Sequence, residues 1–130
     1  MSRKNVEAVR QGFEAFMKGD ISALAELGDP EIVSCVHPRA NATYNGIDGA
    51  LQMIADWVED FDEYEASPEE YFDSDDSVIV RVHQRARGKG SGVPLEQDWW
   101  FVLKLRDGKA VRWDIFDEET EAFGAVGFSG

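Results

Sequence analysis

Between about Arg3 and Lys18, Val6, Val9, Phe13 and Phe16 recur at spacings of three and four, a stripe that predicts a helix packed along one side. Gly19-Asp20 breaks it. Asp20 is a candidate N-cap for a second, short helix carrying Ile21, Leu24 and Leu27, and Gly28-Asp29-Pro30 supplies its stop. Ile32 to Val36 is short, rich in β-branched residues and bounded by Pro30 and Pro38, which reads as a strand; Pro38 to Gly46 reads as a loop. A third helix follows, capped by Asp48, with Leu51, Ile54 and Val58 as its buried stripe and Met53 and Trp57 alongside.

After Glu65 the helical period gives way to alternation. Turn signals at Asp73-Ser74-Asp75-Asp76, Gly88 to Gly92 and Asp107-Gly108 divide four strands, roughly Tyr64 to Phe72, Ser77 to Arg87, Pro94 to Arg106 and Lys109 to Phe116. Connections this short predict an antiparallel meander. Pro68 then requires an edge position or a bulge, because proline has no N–H to give a ladder. Asp117 is a candidate cap for a last short helix whose Phe123 folds back onto the sheet.

Helices first and a meander afterwards give an α+β class with the helices segregated on one face of the sheet, and a curved sheet half-wrapped around helices leaves a blind cavity. The chain's 130 residues, 43% of them hydrophobic, suit a single domain spanning 1–130. A net charge of −13 sets the long-range field against anionic polymers, so nucleic acid and anionic membrane are excluded as natural partners. The opening Met1-Ser2-Arg3-Lys4 passes directly into the amphipathic stripe, without the apolar run of a signal peptide, which makes the cytoplasm the expected location. The single Cys35 forms no internal disulfide. The two histidines form no His-x-His or His-x-x-x-His pair, so no metal is expected, and Gly88-Lys89-Gly90-Ser91-Gly92 lacks the Gly-Lys-Ser/Thr ending of a phosphate loop, so no nucleotide cofactor is expected either.

Strand parity narrows the candidates for chemistry. Val78, Val80 and Val82 share one face of their strand; Ile79, Arg81, His83 and Arg85 share the other, which either meets solvent or a second subunit, or enters the cavity. Asp114 sits mid-strand, where β-propensity disfavours it, and is either a partly desolvated acid/base group or one partner of an arginine across the sheet. His37, beside Pro38, is a candidate proton carrier or an idle surface histidine; Tyr44 is a hydrogen-bond donor or a cover for the core edge. Trp99 shares parity with Phe101, Leu103 and Leu105, which leaves Trp100 as the candidate cavity wall, with Trp57 as core or ceiling.

Several segments together resemble the SnoaL-like branch of the nuclear transport factor 2-like superfamily: Val9 to Asp20, Tyr44-Asn45-Gly46-Ile47-Asp48-Gly49, Val80 to Gly92, Leu105 to Val111 around Asp107-Gly108-Lys109, and Phe116-Asp117-Glu118-Glu119 through Gly127. The resemblance implies a cone-shaped curved, antiparallel or mixed sheet wrapped around three N-terminal helices, with a short C-terminal helix, as in ketosteroid isomerases, limonene epoxide hydrolases and scytalone dehydratases. His37-Pro38 stands where the isomerases carry Asp-Pro. Arg81-Val82-His83 resembles the Arg-x-Asp of the epoxide hydrolases, and Trp113-Asp114 the end of the His-Trp-Asp of SnoaL-like polyketide cyclases. The implied function is cofactor-independent acid/base chemistry, such as cyclisation, isomerisation or hydration, on a small apolar molecule held among Trp57, Trp100, Phe13 and Phe16. In it Asp114 takes or relays the proton, His83 or His37 assists, and Arg81, turned into the cavity, orients the acid or binds developing negative charge. A homodimer through the outer sheet face is also implied. The alternative is a domain of the same fold that binds a small molecule, or assembles, without catalysis.

Overall fold

In the computed structural model, residues 2–127 are described, with side chains from residue 4. The chain runs α1 (Ser2–Met17), α2 (Ser22–Leu27), β1 (Gly28–Val36), a single 3₁₀ turn (His37–Arg39), β2 (Ala42–Asn45), α3 (Gly46–Val58), β3 (Phe61–Ser74), β4 (Ser77–Gly88), β5 (Pro94–Arg106), β6 (Lys109–Phe116) and α4 (Glu119–Ala125). One six-stranded sheet of order β2-β1-β6-β5-β4-β3 results. The expected meander β3 to β6 is antiparallel throughout, and β1 joins β6 in parallel, so the sheet is mixed. No helix among the described residues is long and apolar enough to cross a membrane.

Alternation sorts the sheet into two faces. Val78, Val80 and Val82 of β4, Phe101, Leu103 and Leu105 of β5, and Trp113 and Ile115 of β6 point inward. There they pack on Val9 and Phe13 of α1, Leu27 of α2, and Ala50, Met53 and Trp57 of α3. The opposite face buries a smaller cluster, Ile79, Val102 and Phe116, under Ala122 of α4, and Phe123 meets Phe72 edge-on at 5.1 Å.

Irregularities bend the sheet around the helices. The β3–β4 register slips between Asp62 and Glu65, where Glu63 takes a left-handed φ of 52°, and again between Pro68 and Glu70. Pro68 therefore has both the edge strand and the bulge it requires. A third slip, after Lys104, pairs Leu105 with Ala110, so that Ala110 rather than Val111 joins Trp113 and Ile115 on the inner face. Asp107-Gly108 turns β5 into β6 with φ of 52° and 78°, the positive pair that a two-residue hairpin needs and that Gly supplies without strain.

The segment expected to be a loop from Pro38 to Gly46 is more ordered than its composition indicates. After the 3₁₀ turn, Ala40 and Asn41 adopt left-handed φ of 57° and 58°, which reverses the chain so that β2 pairs antiparallel with β1. Three caps also move: the N-cap positions are Ile21, Asn45 and Glu118 rather than Asp20, Asp48 and Asp117. Asp48 lies instead in the first turn of α3, where its charge complements the helix dipole.

Candidate functional site

A cavity of about 430 Å³ lies between the helices and the inner face of the sheet. Phe13 and Phe16 of α1, Leu27 of α2, Ile54 and Trp57 of α3, and Trp113 and Ile115 of β6 are among its walls. The lining is overwhelmingly apolar because it is the unfilled part of the hydrophobic core. That suits a flat or branched hydrocarbon body more than a charged one. Polar atoms enter from β3, where Tyr64 and Glu65 border the space.

Trp57 anchors this end. Its indole N–H donates to the Oε1 of Gln84 at 2.9 Å, which satisfies a glutamine only 3% exposed in the middle of β4, and its ring meets Trp99 edge-on at 4.5 Å. Burial pushes the Tyr64 phenol up to about 12, with the Trp57 N–H offsetting part of that effect. Near neutral pH, Tyr64 is therefore a neutral hydroxyl, able to donate to a carbonyl or accept from a donor at the cavity wall.

Of the residues expected at the cavity, Phe13, Phe16 and Trp57 line it. Trp100 does not: with Phe116, Val102 and Ile79 it belongs to the outer face, and Trp99 faces inward. Tyr44 closes the α3 edge, donating to Asp56 Oδ2 at 2.9 Å. That carboxylate raises the tyrosine's pKa, while Gln52 and Tyr44 lower that of Asp56.

The ionisable candidates all lie on the other side of the sheet. The expectation that Arg81 and His83 turn inward is not met, because the inward positions of β4 are taken by Val78, Val80 and Val82. Arg81 instead donates to Glu70 and Asp98, both at 3.2 Å, and His83 bridges Asp98 and Glu96, both at 2.7 Å. Asp98, directly opposite His83 in the β4–β5 ladder, is the residue the sequence reading missed here. Asp114 is 8% exposed and also faces outward. Arg112, two residues back on the same strand, holds it in a fork at 2.8 and 2.9 Å, and His37 Nε2 lies 2.8 Å from its Oδ1. The structure thus joins His37 to Asp114, and Arg81 to His83 through Asp98, in two separate groups, neither of them at the cavity.

The His83 group carries a pH signature. Hydrogen bonds to Asp98 first and Glu96 second raise the His83 pKa from its ordinary 6.5, and the bond from His83 is the largest influence lowering that of Asp98 from 3.8. A raised histidine stabilises fully below its unfolded value and loses that contribution as pH rises through its folded one. A depressed carboxylate stabilises above its unfolded value and loses it as pH falls. The pair therefore contributes most between about pH 4 and 6.5. Urea midpoints measured from pH 6 to 9 should decline more steeply in the wild type than in His83→Gln; equal slopes would show the pair to be energetically silent.

Comparison with known proteins agrees with this architecture. The model of the SnoaL-like domain family matches residues 9–113. A structure from Jannaschia sp. CCS1 described as a SnoaL-like polyketide cyclase is 22% identical, with a TM-score of 0.78 over 99% of this chain and 95% of that one. TerC, co-crystallised with polyporic acid, is 21% identical with a TM-score of 0.76, covering 95% of this chain and 97% of its own. A protein from Catenulispora acidiphila with a ketosteroid isomerase-like fold, in complex with trimethylamine, is 15% identical with a TM-score of 0.72 over 95% and 94% of the two chains. No curated protein matches the chain. At these identities the solved structures establish the fold, and the family model, which spans most of the sequence, establishes membership: the chain belongs to the SnoaL-like domain family.

Proposed function

We propose that this protein binds a small, mostly apolar molecule in the cavity between its helices and the inner face of its sheet, with the Tyr64 hydroxyl as the polar group that orients the guest. The observation that carries this reading is the separation of chemistries: the open volume is walled mainly by aromatic and aliphatic side chains, while on the opposite face His37 pairs with Asp114, and Arg81 and His83 both pair with Asp98. The fold neighbour TerC, crystallised with polyporic acid, lends support by analogy.

A second reading is cofactor-independent acid/base catalysis on the same guest, in keeping with the neighbours described as polyketide cyclases. It is favoured by the ionisable Glu65 beside Tyr64 at the cavity wall. In this reading the proton moves between those two side chains and the guest, and Asp114, His83, Arg81 and His37 act only through the sheet.

Titration with the neutral fluorophore N-phenyl-naphthylamine, chosen because an anionic dye would be repelled by a net charge of −13, tests the reading directly. A saturable, blue-shifted signal at one equivalent per chain, unchanged in Asp114→Asn, is the expected result. Absence of saturation, or loss of the signal in Asp114→Asn while the fold persists, would overturn it.

A further inference from the structure

We propose that Cys35, His37 and Asp114 form a site for a single divalent transition-metal ion of the zinc and cobalt class, on the sheet face opposite the cavity. No metal motif is legible in the sequence because the ligands come from two places far apart along the chain. Cys35 lies near the end of β1, His37 opens the 3₁₀ turn that follows it, and Asp114 is the register partner of Cys35 on the adjacent parallel strand β6. One ligand atom from each residue, Sγ, a ring nitrogen and a carboxylate oxygen, lies within 4.8 Å of the other two.

The distances fit. Bonds of about 2.0–2.1 Å to nitrogen or oxygen and about 2.3 Å to sulfur, at tetrahedral angles, place ligand atoms roughly 3.3–3.6 Å apart. His37 Nε2 and Asp114 Oδ1 stand at 2.8 Å, so admitting an ion requires them to part by about half an ångström and the sulfur to close by about 1.2 Å at most. Mixed sulfur, nitrogen and oxygen donors select zinc or cobalt over magnesium or calcium, which prefer all-oxygen shells.

The surroundings already hold the ligands as outer-sphere groups do in metal centres. The Nδ1 of His37 lies 2.9 Å from the Oδ1 of Asn41, and its ring stacks on Phe116 at 4.2 Å and 6°, so Nε2 is the nitrogen left facing the carboxylate. The guanidinium of Arg112 fixes the Asp114 carboxylate and offsets one of the two negative charges that a thiolate and a carboxylate bring together. Cys35 is 4% exposed, but the His37 side chain is 28% exposed, which gives an ion an approach from solvent and leaves room for a water as fourth ligand.

Because Cys35 is the chain's sole cysteine, cobalt gives an unambiguous readout. Titrating Co²⁺ into the reduced, chelator-stripped full chain should produce, at one equivalent, a thiolate-to-cobalt charge-transfer band in the near ultraviolet with the intense visible bands of a four-coordinate ion. Stoichiometric Zn²⁺ should erase both. Cys35→Ser should abolish the charge-transfer band, and Asn41→Gly, which removes the histidine's orienting partner and suits the left-handed φ of 58° there, should weaken cobalt binding by about 10–100-fold. X-ray absorption of the zinc-loaded wild type needs no variant: one sulfur at about 2.3 Å with nitrogen or oxygen at about 2.0 Å is expected. A zinc shell of oxygens alone, as diffuse binding to an acidic surface gives, would overturn the proposal. So would a missing thiolate band at excess cobalt, or unchanged affinity in a folded His37→Gln.

Discussion

Truncating Trp113 to alanine should lower the free energy of unfolding by about 3 kcal/mol, at the low end of the 3–5 kcal/mol typical for removing a large buried aromatic. The ring is 6% exposed, crosses Phe101 at 5.4 Å, and sits on β6, which has a hydrogen-bonded neighbour on each side. Two features hold the loss down. Part of the indole already borders the cavity, so less dispersion contact is forfeited, and its buried N–H has no hydrogen-bond partner, so truncation also relieves a desolvated donor. Trp113→Phe separates these contributions, since it deletes the orphan N–H while keeping most of the ring. Its urea midpoint should fall by less than half as much as that of Trp113→Ala. Equal losses would mean that the shape of the indole, and not its buried area, holds this wall.

The second large effect concerns occupancy. Ala66 lies on β3 beside Tyr64 at the cavity wall, partly buried against the core. Ala66→Trp directs an indole into space that is otherwise empty, so the usual cost of overfilling a core, about 1–3 kcal/mol, should be largely avoided. Affinity for N-phenyl-naphthylamine should drop by about tenfold or more, equivalent to about 1.4 kcal/mol of binding free energy. If the dye bound this folded variant as tightly as the wild type, its site would lie elsewhere, for instance on the apolar patch under α4.

How far the sequence anticipates these results depends on whether the information is local. The alternation of Val78, Val80 and Val82, the Asp107-Gly108 turn and the demand of Pro68 for an edge are written within a few residues, and the structure meets each of them. Parity, however, yields two sets of side chains without saying which is inside. Arg81 and His83 face outward because the valines bury more apolar surface against the helices, and because Asp98 and Glu96 on the neighbouring strand supply counter-charges there. That pairing follows from the β4–β5 register, which no local pattern encodes. β2 escaped notice for the same reason: four residues of mixed polarity become a strand only when the reversal at Ala40 and Asn41 lays them along β1. Asp114 looked anomalous in its strand, and the anomaly is real. Its explanation is a cluster with Arg112 and His37 rather than a place at the cavity.

The place of β6 bears on how the molecule is born. This strand is the sixth and last of the strands in order of synthesis, but in space it is the keystone, lying between β1 and β5. While a ribosome has yet to deliver residues 109–116, the nascent polypeptide holds two unconnected ribbons, β2-β1 and β5-β4-β3, each with a bare flank of unpaired N–H and C=O groups. Closure must wait for the final strand to insert, a long-range step that leaves translation intermediates open to sticking together and makes stalled or clipped products poor candidates for rescue.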